Sequence, residues 1–92
     1  MNIQLIDIQV TRPDGGPDGS ARVLVDVDGV REWFDFEIHG QAGLGGDASI
    51  ITPPEALYDR LTPDHTTVHR ICSVVGQASR DGGVHLPLLV AA

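Results

Sequence analysis

The chain has 92 residues, which is enough for one hydrophobic core, so we treat 1–92 as a single globular domain. Hydrophobic residues make up 41% of the chain and its mean hydropathy is close to zero, a composition that excludes a disordered segment. The net charge is −7, with six Arg, no Lys and no basic cluster, so we expect no nucleic-acid partner.

The cysteine count and the ends of the chain bear on its location. Cys72 is the single cysteine, so no disulfide forms within the chain. The first ten residues lack the charged and apolar regions of a signal peptide, and the longest apolar run, 88–92, is too short to cross a bilayer. We therefore expect a cytoplasmic protein that binds no membrane. Arg without Lys, with abundant Asp, Gly, Val and Ala, indicates a bacterial source.

The first predicted element is a strand over Ile3–Thr11. Its apolar side chains of one parity are Ile6, Ile8 and Val10. Ile3 and Leu5 have the opposite parity, which indicates either a β-bulge or a second covered face near the start of the strand. Residues 12–20 contain Pro-Asp-Gly twice and are predicted to form a loop or a pair of turns.

Residues 21–39 predict a β-hairpin around a two-residue turn, Asp28-Gly29, because both residue types tolerate the positive φ of a type I′ turn. With Val27 opposite Val30, one face carries the pairs Val25–Glu32, Val23–Phe34 and Ala21–Phe36. The other face carries the pairs Asp26–Arg31, Leu24–Trp33 and Arg22–Asp35. A slip of one residue would turn the apolar Val/Phe side chains toward water, so the register is well specified.

A glycine-rich stretch and a short helix follow the hairpin. Residues 40–49 hold four glycines without periodicity, which predicts a flexible connection. Thr52 is the predicted N-cap of the helix, Pro53 its first residue and Glu55 the acidic member of a capping box. The predicted inner face of this helix carries Leu57, Tyr58 and Leu61.

The last part of the chain predicts a second helix and a final strand. The helix follows a second start signal, Thr62-Pro63-Asp64, and its apolar positions match the i, i+3, i+4, i+7 pattern. These positions are Val68, Ile71, Cys72 and Val75. After a turn at Asp81–Gly83, Val84–Val90 alternates as a strand, and Pro87 favours an edge position for it.

The predicted order of elements is βββ-αα-β. We expect an α+β fold in which an antiparallel sheet of about four strands has both helices packed on its Val/Phe face.

A group of metal-ligand residue types lies on the second predicted helix. His65, His69 and Cys72 fall along one stripe and suit zinc by residue type, but a structural site needs a fourth ligand. Cys72 also belongs to the apolar stripe, where a free thiol behaves as a small hydrophobe. We therefore favour a core thiol beside two boundary histidines, with no metal and no cofactor, and keep a metal-binding protein or enzyme as the alternative.

Other patterns that suggest chemistry are weaker. The Gly40–Gly46 stretch lacks a phosphate-binding motif and is followed by the acidic Asp47. Cys72 as a nucleophile would lie in mid-helix facing the core, without the nearby cation that activates a thiolate. The hairpin carboxylates fit a solvated strand face. The sequence does not favour an enzyme.

The outer face of the hairpin gives the leading functional hypothesis. Trp33 is predicted to lie there beside Leu24, where it either packs on Leu24 and the stems of Arg22 and Arg31 or forms an interaction patch. We expect a small acidic module that binds another protein, or itself as a homo-oligomer. The predicted binding residues are Trp33, Leu24, Arg22, Arg31 and Asp35. A structural subunit without a ligand is the third hypothesis.

Overall fold

A computed structural model of the protein describes residues 1–13, 18–41, 48–80 and 82–92. Its elements in chain order are β1 (Ile3–Thr11), β2 (Gly19–Val27), β3 (Val30–Gln41), β4 (Ala48–Thr52), α1 (Glu55–Leu61), α2 (His65–Arg80) and β5 (Leu88–Ala91). The strands form a five-stranded antiparallel sheet in the order β4-β3-β2-β1-β5. The predicted α+β fold is confirmed, with one strand more than expected.

The hairpin of β2 and β3 has the predicted register throughout. Val27 pairs with Val30, Leu24 with Trp33, and every pair between follows in step. Asp28 and Gly29 have φ values of 51° and 92°, the positive values that a type I′ turn requires. Asn2 ties this turn to β1, because its N–H donates to Asp28 Oδ1 (2.7 Å) and its carbonyl accepts from the Asp28 N–H (2.8 Å).

β1 contains a β-bulge, which was one of the two alternatives that its sequence left open. The register with β2 shifts between Leu5 and Asp7, so Leu5 lies opposite Val25 whereas Asp7 lies opposite Leu24. The extra residue reverses which positions of the strand, odd or even, face the helices after the bulge. Ile3 and Leu5 before the bulge and Ile8 after it therefore all contribute to the core.

The predicted start of the first helix is wrong. Thr52 is not an N-cap but the last residue of β4, and α1 begins at Glu55 after Pro54, which makes no side-chain capping bond. The reason lies in the two consecutive prolines, because a residue before proline is disfavoured in the helical region. Thr52 precedes Pro53, and Pro53 precedes Pro54, so the helical region is disfavoured at both, and the helix begins only after Pro54.

Two predicted connections are shorter than expected. The stretch 40–49 was predicted to be flexible throughout, but Gly40 pairs with Ser49 and Gln41 with Ala48, so its ends belong to β3 and β4. Residues 42–47 lie outside the described residues. Likewise, Gly19 and Ser20 of the predicted 12–20 loop begin β2, and 14–17 lie outside the described residues.

β5 begins four residues later than predicted, at Leu88, and it is an edge strand, as Pro87 suggested. Leu88 pairs with Leu5 of β1, so Pro87 would come next, opposite the bulge that follows Leu5. Proline has no backbone N–H to donate to β1 at this position, and the bulge interrupts the hydrogen-bonding ladder on the β1 side. Pairing therefore cannot extend back to Val84.

The helices cover one face of the sheet and close a single core. The buried apolar side chains are Ile3, Leu5, Ala21, Val23, Val25, Val27, Phe34, Phe36, Ile38, Leu57, Leu61, Val68, Ile71, Val75 and Val90. Three of the four residues in the predicted α2 stripe are fully buried, and the fourth, Cys72, is half-buried. Arg70 and Arg12 tie α2 to its surroundings, because their guanidinium groups donate to the carbonyls of Val90 and Ser79.

Asp64 caps α2, whereas a repeat of the first start signal would have made Thr62 the cap; Thr62 is instead the C-cap of α1. Its carboxylate accepts from the Thr67 hydroxyl and from the Thr67 N–H (3.1 Å). These hydrogen bonds, the hydroxyl first, hold the pKa of Asp64 below its ordinary value of 3.8.

Gly29→Ala should destabilise the protein by about 1–2 kcal/mol, because a Cβ is strained at positive φ even though the space around Gly29 is open. Urea unfolding followed by circular dichroism measures this loss. Asp28→Asn is the control, since asparagine tolerates positive φ and keeps an acceptor for the Asn2 N–H. Equal unfolding midpoints for wild type and Gly29→Ala would contradict the turn assignment.

The cap should make stability depend on pH through Asp64. Because the folded pKa is depressed, the stabilisation is complete above the unfolded value of 3.8 and is lost as pH falls through the folded value. The difference in free energy of unfolding between wild type and Asp64→Asn should therefore shrink in acid. Thr67→Val should remove much of the same dependence, because the hydroxyl is its largest cause. Urea titrations over a pH series test this, and a constant difference would contradict it.

Candidate interaction surface

The side chains of β2 and β3 that point away from the helices form a surface that we call the outer hairpin face. It consists of Arg22, Leu24, Asp26, Arg31, Trp33 and Asp35, the set that the turn register predicts on one side of the hairpin. Successive residues of a strand alternate between the two faces of the sheet. The helices bury Val23, Val25 and Phe34, so the residues of the outer hairpin face point away from the helices. The sequence therefore placed all five predicted binding residues on one surface.

Trp33 lies at the centre of the outer hairpin face and remains 39% exposed. Leu24 is its cross-strand neighbour and is half-buried, and the Arg22 guanidinium lies 5.3 Å from the centre of the indole ring. This distance fits a cation–π contact. The local packing that was one alternative for Trp33 therefore exists, but it leaves more than a third of the side chain uncovered.

An ion pair lies on each side of the Leu24–Trp33 pair. Arg31 Nε is 3.2 Å from Asp26 Oδ2, and Asp26 is held in place because its other oxygen accepts from the Gly29 N–H (2.9 Å). The second pair is looser, with 3.7 Å between Arg22 Nε and Asp35 Oδ1 and with 82% of the Asp35 side chain exposed. Exposed pairs of this kind contribute little to folding. Asp35 in particular keeps most of its hydrogen-bonding capacity.

The inner side of β3 is uncovered near the turn. Val30 and Glu32 share a face with the buried Val27 and Val25, yet Val30 is 59% exposed and Glu32 is exposed as well. The helical layer therefore stops short of the turn on the β3 side.

The first half of β3 also has an open edge, which sequence reasoning missed. Among the described residues, β4 pairs with Glu37–Gln41 of β3 and ends opposite Glu37. Within a hairpin closed by a two-residue turn, Val27 and Val30 form a hydrogen-bonded pair, and the pairs alternate from there. Arg31, Trp33 and Asp35 consequently direct their backbone N–H and C=O groups away from β2, toward this edge.

The candidate metal ligands are not brought together. No group of three or more His, Cys, Asp or Glu within the described residues is arranged to hold a metal ion. The His65 ring packs edge-on against Tyr58, with 5.2 Å between ring centroids, and His69 is exposed. His65, His69 and Cys72 thus share a helix without sharing a site.

Cys72 lies in a shallow hollow that is also lined by Ile51, Ser73 and Arg80. Burial raises the pKa of its thiol, so the thiolate is disfavoured. The direction of this shift does not favour Cys72 as a nucleophile. Gly40–Gly46 was the weak candidate for phosphate binding. Its described part, residues 40 and 41, pairs with β4, and its other residues lie outside the described residues.

Comparison with known proteins adds no relationship. The chain matches no protein family, no curated protein and no solved structure. None of the helices in the described ranges has the length and apolar character that a membrane crossing needs.

Cys72 should alkylate more slowly in the folded protein than in urea, because burial reduces its thiolate fraction at any given pH. The rate of reaction with iodoacetamide, plotted against pH, should have a higher midpoint for native than for unfolded protein. Cys72→Ser supplies the blank. A native midpoint at or below the unfolded one would show that the thiol is activated, and would contradict this assignment.

Proposed function

We propose that this protein is a small interaction module that binds another protein, or a second copy of itself, through the outer hairpin face. The observation that carries the proposal is Trp33, a large aromatic residue that is 39% exposed at the centre of a sheet face without helices. Aromatic residues at the centre of a patch contribute most of the binding energy in many protein interfaces.

The composition of the outer hairpin face supports this proposal. Leu24 and Trp33 form an apolar centre, and the pairs Asp26–Arg31 and Arg22–Asp35 flank it. An apolar centre with a charged rim, enriched in aromatic residues and arginine, is the usual organisation of protein–protein interfaces.

The charges favour a protein over other classes of partner. Each arginine of the outer hairpin face lies beside a carboxylate, so the face offers no unbalanced positive patch to a phosphate backbone or an anionic membrane. The chain as a whole carries a net charge of −7. Neither the separated metal candidates nor Cys72, whose thiol pKa is raised by burial, favours the metal-binding or enzymatic alternative.

Site-specific photo-cross-linking in the producing cell tests the proposal. Gln9 is exposed and pairs with Arg22 beside the outer hairpin face, whereas Gln77 is exposed on α2 and serves as a control of the same residue type. A photoreactive residue at position 9 should form a protein adduct, and one at position 77 should not. Trp33→Ala should weaken this association by about thirtyfold or more, as loss of a central aromatic residue does.

Adducts are identified by mass spectrometry, and circular dichroism checks that each variant is folded. Equal adducts at both positions, or none at position 9, would overturn the proposal. Absence of any adduct is the result expected for a structural subunit without a ligand.

A further inference from the structure

We infer that the partner is a different protein, and that a positively charged amphipathic helix of that protein covers a row of apolar side chains on the outer side of the sheet. This inference rests on the proposed function and specifies the class of partner. The row consists of Leu89, Ile6, Leu24 and Trp33, and we call it the apolar band.

The apolar band extends the Leu24–Trp33 pair onto β1. Ile6 is the extra residue of the β1 bulge, so it lies beside Leu24 of β2. Leu5 before it points toward the helices, so Ile6 points away from them. Ile6 is half-buried and is not among the side chains that pack against the core. Its cover therefore comes from the outer side of the sheet.

Leu89 continues the apolar band onto β5. It pairs with Gln4 of β1, which in turn pairs with Asp26 of the outer hairpin face, so Leu89 lies on the same side of the sheet. It is 53% exposed. Gln4 and Ile6 share one face of β1, so Leu89 is the diagonal neighbour of Ile6 and lies within reach of it. The apolar band therefore crosses β5, β1, β2 and β3.

The spacing of the apolar band fits a helix better than an extended strand. Neighbouring strands lie about 4.8 Å apart, so Ile6, Leu24 and Trp33 follow one another at about this interval. Along one stripe of a helix, apolar side chains recur every three or four residues, which is roughly 4.5–6 Å. Along one face of an extended strand they recur only about every 6.6–6.8 Å. A helix that lies across the strands can thus set one apolar side chain against each strand.

The distribution of charge selects a positively charged partner and disfavours a second copy of this chain. The helical part of the chain, 55–80, is balanced, with three carboxylates and three arginines. The described residues of 1–41 carry seven carboxylates and three arginines, so the excess negative charge lies with β1, β2 and β3. Two copies that met through this surface would bring the two excesses together. A positively charged segment is attracted to it instead.

Carboxylates beside the apolar band are available to such a partner. Asp35 is 82% exposed and only loosely paired with Arg22. Asp7 pairs with Leu24 in the sheet, accepts a hydrogen bond from Gln9 Nε2 (3.1 Å) and has no arginine partner within the described residues. Basic side chains that flank the apolar stripe of an amphipathic helix can therefore pair with both carboxylates.

Trp33 is the single tryptophan and lies in the apolar band, so its emission reports directly on the cover of the band. The probe is a synthetic helical peptide of about four turns without tryptophan, with leucine along one stripe, lysine on both sides of it and alanine elsewhere. A matched peptide has glutamate in place of lysine. The lysine peptide should shift the emission to shorter wavelength, with a dissociation constant that rises at least about tenfold between about 0.05 and 0.5 M NaCl. The glutamate peptide should cause no shift.

Matched variants separate the apolar band from the general attraction of opposite charges. Leu89→Ser should raise the dissociation constant of the lysine peptide at least about fivefold. Ile50→Ser is its control, because Ile50 is 49% exposed and pairs with His39 on the other edge strand, β4, outside the apolar band. Asp7→Asn should weaken both the binding and its salt dependence. Asp59→Asn on α1 makes the same change in net charge and should leave both as they are.

The outcomes separate this inference from the proposed function. Binding of the lysine peptide that Leu89→Ser and Asp7→Asn weaken, and that their controls do not, supports the inference. Equal binding of both peptides, equal effects of variants and controls, or no binding overturns it, and so does a second copy of this chain as the adduct at position 9. In each of these cases a protein adduct at position 9 but not at position 77 still supports the proposed function. Failure of both the peptide and the cross-link removes both.

Discussion

Two residues with positive φ, Asp28 and Gly29, join β2 to β3 and determine which residues of the two strands face each other. Side chains alternate along a strand, so this turn decides which ones meet the helices and which ones meet solvent. The buried Phe34 and the exposed Trp33 are neighbours in sequence and are separated only by this parity. The core and the candidate binding surface therefore depend on the same two backbone conformations.

Local chemistry made much of the fold predictable. The turn residues specify the hairpin, and the spacing of Val68, Ile71 and Val75 specifies α2. β4 was missed because a strand of five residues beside glycines has too few alternating positions to show a period. The start of α1 was misplaced because the capping pattern at Thr52 was given more weight than the two prolines that follow it.

The candidate surface was predictable in its side chains but not in its backbone. Alternation alone places Trp33, Leu24 and the flanking charges together, since all of them lie in one hairpin. The open edge of β3 depends on where β4 starts and stops pairing, a contact between segments that no local pattern encodes. The metal candidates show why a helical stripe is weak evidence for a site, because positions on one stripe share a direction, and within the described residues they do not converge on a point.

The two edges of the sheet differ in what they permit. β5 offers four residues, a register shift opposite Ile3 and Gln4, and a proline immediately before it, so it is a poor template for another strand. A sheet with two usable edges can add chains without limit and grow into a fibre. Here, β4 covers only the second half of β3, so this side of the sheet is stepped, with five residues of β4 beside the unpaired first half of β3. Among the described residues, neither side therefore presents a long straight strand, and the sheet resists growth by strand addition.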